Sequence, residues 1–486
     1  MAPTHVFSCD TTMHYDAVVI GAGISGITVA LMLAKYGQRV ALVEKHHQIA
    51  PIVRGFTRKH HHFDTGFHYA GRCPNNDPLG ALLRYFSIAG KLQIEPYHAD
   101  CFDHVKIQNT PFTFDFPLGI PAIVQRLGER FPHETEGIRH YLAQIQRVCE
   151  QFSLVDYSIP LNQRPSLQEI LKEHFSDPLL IKLLSAHSLL YGTEPDETSF
   201  LFHAMVVGPY YQEAYTFKGG GKALVDLLQE KLEQLQVDQY LGSEVSTIEI
   251  DSSRRVTAVT LANQTTLRTS CAVYCGHPKA LLQMVPPSTF RPAYGERVAN
   301  LEETPSAYAL YGVTRTPLEC LHASNVIVLP EERAEVTASN STITSGVMYV
   351  TKGRAADTTA PNGFSFFTLF PASKIEESGS KAEITERMKL RMAQTFPQFE
   401  QNLVWAESAS PKTFARYSYA SPGSLYGAKH CIGQTNPHPL TRVPGLLLAG
   451  QSVGAPGLIG AMASAVHTAA LIIGQKTVYS ELSSCL

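Results

Sequence analysis

The chain has 486 residues, of which 44% are hydrophobic and 17% are charged, and its formal net charge at pH 7 is -3. This composition is typical of a folded globular protein and excludes an intrinsically disordered chain, while the length predicts more than one domain. The near-neutral charge without a basic block gives no electrostatic reason to expect a nucleic-acid partner.

Neither disulfide bonds nor membrane spans are expected. The nine cysteines are scattered, odd in number and without CxxC spacing, which indicates free thiols in a reducing compartment. The opening residues, "MAPTHVFSCDTTMH", lack the charged and apolar regions of a signal peptide. No run of about 20 apolar residues occurs. We therefore expect a cytoplasmic protein, and peripheral contact with a membrane surface is left open.

Residues 15–45, "YDAVVIGAGISGITVALMLAKYGQRVALVEK", predict a strand, a glycine turn, a helix and a second strand. Gly21 permits a tight turn, Gly23 lets the backbone approach a pyrophosphate, and Gly26 lets the helix pack closely on the strand. The N–H groups at the start of the helix favour phosphates. Glu44 ends the second strand, where a carboxylate can accept hydrogen bonds from ribose hydroxyls. The pattern predicts a dinucleotide site.

A second glycine-rich segment, "PGLLLAGQSVGAPGLIGAMASAVHTAALIIG", lies near the C-terminus. It predicts an apolar strand, a glycine turn and a helix from about Gly460. A helix start beneath an extended cofactor can stabilise negative charge on a flavin ring or contact a ribityl chain. Together with the lone dinucleotide motif near the N-terminus, this segment favours FAD over NAD.

Five segments, in this order, resemble the family of phytoene desaturases, carotenoid isomerases and retinol saturases: "VVIGAGISG" with "VEK", "FDTGFHYAG", "GGGKALVDLL", "TFARYSYASPGSLYGA" and "PGLLLAGQSVGAPGLIGA". The resemblance implies an FAD-dependent oxidoreductase with an α/β fold. A Rossmann-like FAD-binding domain would be interleaved with an α+β substrate domain, as in flavoproteins similar to amine oxidase and glutathione reductase. The FAD-binding domain is expected over residues 14–95, 216–290 and 411–478. The substrate domain is expected over 96–215 and 291–410, with tails at 1–13 and 479–486.

The resemblance also assigns cofactor contacts. The expected contacts are Gly21, Gly23, Ser25 and Gly26 at the pyrophosphate, Glu44 at the adenosine ribose with Lys45 beside it, Val245 at the adenine, Arg54 beside the phosphates and flavin, Asp64, Thr65 and Gly66 near the isoalloxazine, and Gly450, Gln451, Ser452, Gly460 and Ala461 around the ribityl chain and flavin. Two departures from the family pattern are visible. Ala50-Pro51 replaces a Gly-Gly pair, and Ser452 replaces an acid. Both are expected to alter the tightness of FAD binding and the local geometry.

Four side chains are candidate proton donors: His68, Tyr69, Tyr210 and Tyr426. His68 is attractive because an imidazole has a pKa near neutrality, although a structural histidine bonded to backbone fits the pattern as well. The aromatic-rich substrate segments predict a pocket for a hydrophobic small molecule.

The expected function is saturation, desaturation or isomerisation of carbon-carbon double bonds, acting on CH-CH groups of an isoprenoid, retinoid or lipid-like substrate. No motif identifies the electron donor or acceptor, or the oligomeric state. A flavin amine oxidase and a non-catalytic flavin- or lipid-binding protein remain alternatives.

The segment "KHHHFDTGFHYAG", residues 59–71, is rich in potential metal ligands. Neighbouring residues of a strand point to opposite faces, so only His60 and His62 share a side. No further ligands follow at a recognised spacing. We therefore expect no metal, with "KHHH" forming a solvated turn and "FDTGFHYAG" facing the flavin.

Overall fold

The computed structural model describes residues 13–71, 78–151, 162–331, 347–355, 362–370, 380–419 and 423–486. The strands of these residues are β1 (Met13–His14), β2 (Ala17–Ile20), β3 (Val40–Glu44), β4 (Phe56–Arg58), β5 (His61–Phe63), β6 (Ala70–Gly71), β7 (Ile94–Pro96), β8 (Asp103–Ile107), β9 (Thr113–Phe116), β10 (Ala214–Phe217), β11 (Asp238–Leu241), β12 (Val245–Ile250), β13 (Val256–Leu261), β14 (Thr266–Arg268), β15 (Ala272–Tyr274), β16 (Ser306–Thr314), β17 (Asn325–Leu329), β18 (Met348–Lys352), β19 (Arg354–Ala355), β20 (Gly363–Phe370), β21 (Leu403–Ala409) and β22 (Leu446–Leu448).

The helices of the same residues are α1 (Ile24–Lys35), α2 (Pro51–Arg54), α3 (Pro78–Tyr85), α4 (Ile120–Arg130), α5 (Thr135–Gln151), α6 (Leu167–His174), α7 (Pro178–Leu184), α8 (Phe200–Gln212), α9 (Gly220–Gln234), α10 (Pro278–Met284), α11 (Pro292–Ala299), α12 (Lys381–Thr395), α13 (Phe399–Asn402), α14 (Pro411–Ser418), α15 (Gly457–Ile473) and α16 (Gln475–Ser483). Short 3₁₀ helices span Ala89–Lys91, Pro132–Glu134 and Ala186–Leu190.

A parallel sheet with the order β11-β3-β2-β15-β22 forms the first half of the described molecule. Strands β2 and β3 are buried along their whole length because both faces of the sheet are covered. One face packs on α1, α9 and α15, and the other packs on the sheet formed by β1, β14, β13 and β12. Since the strands are parallel, their carboxyl ends meet at one edge, where α/β sheets bind ligands.

A mixed sheet with the order β21-β16-β20-β18-β17-β8-β9 forms the second half. Strand β16 is buried at every residue because helices cover both faces of this sheet. One apolar cluster joins the sheet to α4, α5, α6 and α8, and another joins it to α12. The described residues also form two smaller three-stranded sheets, with the orders β6-β10-β7 and β19-β5-β4.

The strands of the parallel sheet fall within the segments predicted for the FAD-binding domain, and those of the mixed sheet fall within the segments predicted for the substrate domain. Strand β10 crosses the predicted boundary at 215/216, and α14 packs on β16 and β21. The domain boundaries therefore stay a prediction. In the described part of the chain, no helix combines the length and apolar character needed to cross a membrane.

Two local predictions need correction. The helix predicted from about Gly460 begins at Gly457. In the histidine run, Lys59 and His60 form the predicted exposed turn, with φ of 48° and 65°. The prediction is wrong for His62, which is only 5% exposed because it faces inward from β5, with its Nε2 atom 3.7 Å from the Asp64 carboxylate.

Candidate functional site

A cavity of about 530 Å³ begins at the carboxyl edge of the parallel sheet and continues to the face of the mixed sheet. Its walls include most of the residues that the sequence predicted for FAD: Gly21, Gly23, Ser25, Glu44, Lys45, Thr65, Gly66, Val245, Gly450, Gln451, Ser452, Gly460 and Ala461. Gly26, Arg54 and Asp64 lie behind the wall. The four predicted proton donors, His68, Tyr69, Tyr210 and Tyr426, line the same cavity.

The first glycine turn presents free backbone to the cavity. Gly21 has a φ of +98°, and its N–H donates to the Val43 carbonyl at 2.7 Å. A Cβ on Gly23 would meet no atom within 4 Å, whereas a Cβ on Gly26 would lie 1.8 Å from the Gly21 carbonyl oxygen. Helix α1 begins at Ile24 without a side-chain cap or an acidic residue in its first turn. Its first N–H groups are therefore available to an anion, which fits a pyrophosphate.

Glu44 marks the next part of the cavity. Its Oε2 atom accepts from the Ala22 N–H at 2.7 Å and its Oε1 atom accepts from the His46 N–H at 2.8 Å. These bonds fix the carboxylate, and each oxygen keeps a second lone pair for a ribose hydroxyl. Lys45 pairs with Glu244 at 3.1 Å, and Val245 offers a buried apolar contact at the start of β12.

The second glycine segment lies beside the first in the cavity wall. Gly450 follows β22 with a φ of +124°, and its N–H donates to Ser464 Oγ at 3.0 Å. Helix α15 begins at Gly457 without a side-chain cap, so its first N–H groups are also available to a ligand. A Cβ on Gly460 would lie 2.6 Å from the Ala455 carbonyl oxygen. Glycine is thus required for this turn to pack beneath the cavity.

Serine side chains join the two glycine segments to each other and the second glycine segment to the loop that contains Ala428. Ser25 Oγ donates to the Ala461 carbonyl at 3.0 Å. Ser452, which stands where the family usually has an acid, is buried, and its Oγ accepts from the Ala428 N–H at 3.1 Å. Ser452 therefore remains a neutral hydrogen-bonding group in the cavity wall.

The segment around α2, together with Thr65 and Gly66, forms another part of the cavity wall. Thr65 Oγ1 donates to the Ile52 carbonyl at 2.7 Å, and a Cβ on Gly66 would lie 2.4 Å from the Ile52 side chain. Arg54 pairs with Asp226 at 2.7 Å. The buried Asp64 carboxylate accepts from the Gly221 N–H at 3.0 Å.

Arg54 and Asp64 therefore anchor α9 behind this wall.

The Ala50-Pro51 departure has a visible backbone cost. Ala50 has a φ of +43°, a left-handed conformation that glycine adopts readily and alanine does not. Its N–H donates to the Ala22 carbonyl at 2.7 Å, which holds it against the first glycine turn. The chain therefore keeps the conformation of a glycine at this position while carrying a side chain.

The far end of the cavity is an apolar chamber. It is lined by Leu189, Leu190, Phe202, Met205, Val206, Val347, Tyr349, Phe367, Leu369, Phe414 and Leu425. The His68 ring lies 5.0 Å from Phe367, Tyr210 donates to the Tyr69 carbonyl at 3.5 Å, and Tyr426 donates to the Leu189 carbonyl at 3.2 Å. Such a chamber suits a long hydrophobic molecule.

A buried polar network stands behind Tyr69. The Tyr69 hydroxyl donates to Asp103 Oδ2 at 2.9 Å, and His187 Nε2 lies 3.0 Å from the same oxygen. Asn325 Nδ2 donates to Asp103 Oδ1 at 2.8 Å. His187 Nδ1 lies 3.2 Å from the Tyr211 hydroxyl. Asp103 and His187 are both 0% exposed. Burial first, and then the Asp103 charge, raises the pKa of Tyr69 well above its usual range.

The sequence analysis missed Asp103, His187 and Asn325. A signal existed for Asp103, because it occupies an inward position of the alternating strand "DHVKI", where an apolar residue is expected. No comparable signal marks His187, which lies on a short 3₁₀ helix.

Comparisons with known proteins agree with this geometry. The family model described as flavin containing amine oxidoreductase matches residues 24–473. All-trans-retinol 13,14-reductase of Rattus norvegicus is 26% identical over 96% of this chain and 87% of that protein. Phytoene desaturase (lycopene-forming) of a Paracoccus species is 24% identical over 51% of this chain and 52% of that protein.

Two solved structures share the fold. An oxidoreductase from Methanosarcina mazei has a TM-score of 0.67 at 16% identity, covering 94% of this chain and 99% of that chain. Putrescine oxidase bound to putrescine has a TM-score of 0.69 at 14% identity, covering 95% and 99%. These findings confirm the predicted fold class, the resemblance to phytoene desaturases and retinol saturases, and FAD as the cofactor.

Proposed function

The chain belongs to the flavin containing amine oxidoreductase family, and from that premise we propose that it saturates a carbon-carbon double bond of a retinoid or a related isoprenoid. The relative named all-trans-retinol 13,14-reductase is 26% identical over 96% of the chain, and a Staphylococcus aureus relative named 4,4'-diapophytoene desaturase is 21% identical over 86% of the chain. The higher identity and fuller coverage of the reductase favour saturation over desaturation.

One observation carries the proposal. A single cavity connects two unpaired helix starts with an apolar chamber, and Tyr69 lines that chamber with its hydroxyl bonded to the buried Asp103. Cavities of roughly 300–1,000 Å³ with few polar groups are typical of sites for cofactors and small hydrophobic ligands. The aliphatic and aromatic walls bind the polyene chain and exclude water.

Tyr69 has the properties of a proton donor in such a chamber. Bound reduced FAD supplies the hydride that saturation of a double bond requires, and the protein supplies the proton. Because burial holds its pKa high, Tyr69 keeps its proton at neutral pH and delivers it only to a carbon that has become strongly basic. Asp103 and His187 form the route through which the Tyr69 oxygen recovers a proton.

Anaerobic reoxidation tests the proposal. The purified, photoreduced flavoprotein is mixed with all-trans-retinol, with carotenoids and with unsaturated fatty acids, and the flavin spectrum and product mass are followed. We expect retinol or another isoprenoid to restore the oxidised flavin spectrum and to gain two hydrogen atoms. A saturated analogue of the same chain length is the matched control and should leave the flavin reduced.

Three results would refute saturation. Bleaching of the oxidised flavin by amines, with no reaction of polyenes, would identify an amine oxidase. Bleaching of the oxidised flavin by a saturated or partly saturated isoprenoid would identify a desaturase. Purified protein that takes up no FAD would indicate a binding protein.

A further inference from the structure

A second group of reactive side chains lies beside the mixed sheet, away from the FAD cavity. Cys101, His104 and Asp115 each offer one ligand atom, and these atoms lie within 4.8 Å of one another. Cys101 Sγ is 3.2 Å from His104 Nδ1, which is 2.7 Å from Asp115 Oδ1. This is a separate site, since none of the three residues lines the FAD cavity.

Strand pairing brings these residues together. His104 on β8 and Asp115 on β9 are direct partners in the antiparallel register, so their side chains share one face of the sheet. Cys101 lies two residues before β8. Cys320 precedes β17, the other neighbour of β8, and lines the same cavity as Cys101, His104 and Asp115. The four side chains thus come from three separate parts of the chain.

We propose that Cys101, His104 and Asp115 bind a zinc ion, and that the exposed Cys320, which lines the same cavity but lies outside their 4.8 Å cluster, moves in as the fourth ligand. Thiolate sulfur, imidazole nitrogen and carboxylate oxygen are the ligands that zinc takes, and four protein ligands make a closed tetrahedral site. Ligands at zinc bond lengths and tetrahedral angles lie about 3.3–3.8 Å apart. The observed separations of 3.2 and 2.7 Å are slightly shorter, so a small outward movement of the side chains admits the ion.

The surroundings of the cluster allow that movement. Cys320 is exposed, and His104 and Asp115 are half-buried beside an open cavity that His98 and His322 also line. The nearby Arg126 guanidinium bonds to the carbonyls of Asp100 and Asp115, which directs its donors to backbone oxygens. Zinc binds the thiolate form of cysteine, so binding of the ion releases protons.

The ion would have a structural role. It would tie the β8–β9 hairpin to the segment before β17, on the side of β8 opposite the inward-facing Asp103. Sequence spacing did not reveal the site, because Cys320 lies far along the chain from the Cys101-x-x-His104 pair. The earlier expectation of no metal considered the His60–His62 run and CxxC spacing.

Cobalt titration of the metal-free, FAD-loaded full chain under reducing conditions tests the proposal. We expect one equivalent of Co²⁺ to produce the visible absorption of a tetrahedral thiolate site in a difference spectrum, and Zn²⁺ to abolish it. Elemental analysis of protein expressed with added zinc should give one zinc per chain. The C101S and C320S variants and H104A should each weaken binding by at least about 100-fold. C485S, which removes a cysteine distant from the cluster in sequence, should bind normally.

Two results would overturn the zinc site. One is the lack of a stoichiometric cobalt spectrum in wild-type protein. The other is equal cobalt binding by wild type and a C101S/C320S double variant. If the pair is instead recovered as a Cys101–Cys320 disulfide from protein that never holds zinc, the cysteines form a redox pair. FAD absorbance in every sample reports folding and cofactor loading, so failure here is distinguishable from failure of the proposed saturase activity.

Discussion

The two ends of the cavity are built by different means. The cofactor end consists of glycine turns and unpaired backbone N–H groups at the starts of α1 and α15. The chamber end consists of side chains, with Tyr69, Asp103 and His187 brought from three distant segments. Steric freedom of the backbone determines the structure of the cofactor end, whereas long-range packing determines that of the chamber end.

The largest effect is expected at the first glycine turn. In G26A the new Cβ would lie 1.8 Å from the Gly21 carbonyl oxygen. Relief of this clash requires a shift of α1 away from β2. We expect a loss of about 3 kcal/mol or more in the free energy of unfolding, measured by denaturant titration, or insoluble protein.

G23A is the matched control, because its Cβ meets no protein atom within 4 Å. It should fold with an unchanged melting temperature as apoprotein and bind FAD roughly tenfold more weakly, a cost of about 1.4 kcal/mol. Unfolding of G23A together with normal folding of G26A would contradict the packing role of Gly26.

The second effect concerns the chamber network. In D103N, the carboxamide cannot accept from Tyr69, His187 and Asn325 as the carboxylate does, so one buried donor faces another. We expect product formation to fall about 1,000-fold while FAD affinity stays constant. Turnover and flavin titration measure the two quantities. D196N, a substitution at an exposed aspartate, should change neither. A parallel loss of FAD from D103N would show that the two ends are not independent.

The third effect is acid lability of the chamber half. Burial, and then the nearby His187, lowers the pKa of His203 from 6.5 to about 3. Its Nε2 atom lies 3.1 Å from the Tyr141 hydroxyl, and its Nδ1 atom lies 2.8 Å from the Tyr191 hydroxyl. The folded state holds the neutral ring, so its contribution to stability is complete above about pH 6.5 and is lost as the pH falls toward the folded pKa.

The expected loss from His203 is about 3 kcal/mol at pH 4. H203Q should flatten the dependence of the free energy of unfolding on pH between about 6.5 and 4. An unchanged slope in this variant would assign the acid lability to other groups.

The smallest effect is expected at Ala50, with its φ of +43°. A50G should stabilise the protein by about 1 kcal/mol because glycine adopts this conformation without strain. The same substitution at the exposed helical residue Ala382 should destabilise by about the same amount. Thermal unfolding compares the two variants, and a loss of stability in A50G would mean that the turn does not need a glycine conformation.

The difference between the two ends also explains what the sequence could predict. The glycine turns, β2, β3 and β22 are local patterns, and the residues predicted for FAD mostly line the cavity. The cofactor contacts predicted for Arg54 and Asp64 stay predictions, and the sequence did not reveal their partners Asp226 and Gly221, because these lie on α9, far along the chain. His62 was expected at the surface, since only the pairing of β5 with β4 and β19 turns it inward.

Only part of the chemistry of the chamber end could be predicted from the sequence. Tyr69 was among the predicted proton donors, but its support by Asp103 depends on β8 pairing with β17 beside a 3₁₀ helix. No spacing rule connects residues that meet only through a seven-stranded sheet in the described structure.

A single-turnover comparison tests the saturase chemistry most directly. Photoreduced wild type, Y69F and Y479F, the last altered at a tyrosine outside the cavity, are mixed anaerobically with the isoprenoid that reoxidises the wild-type flavin. We predict reoxidation at least about 100-fold slower in Y69F than in wild type, with equal FAD content, and no change in Y479F. Equal reoxidation rates in Y69F and wild type would contradict the role of Tyr69 as the proton donor.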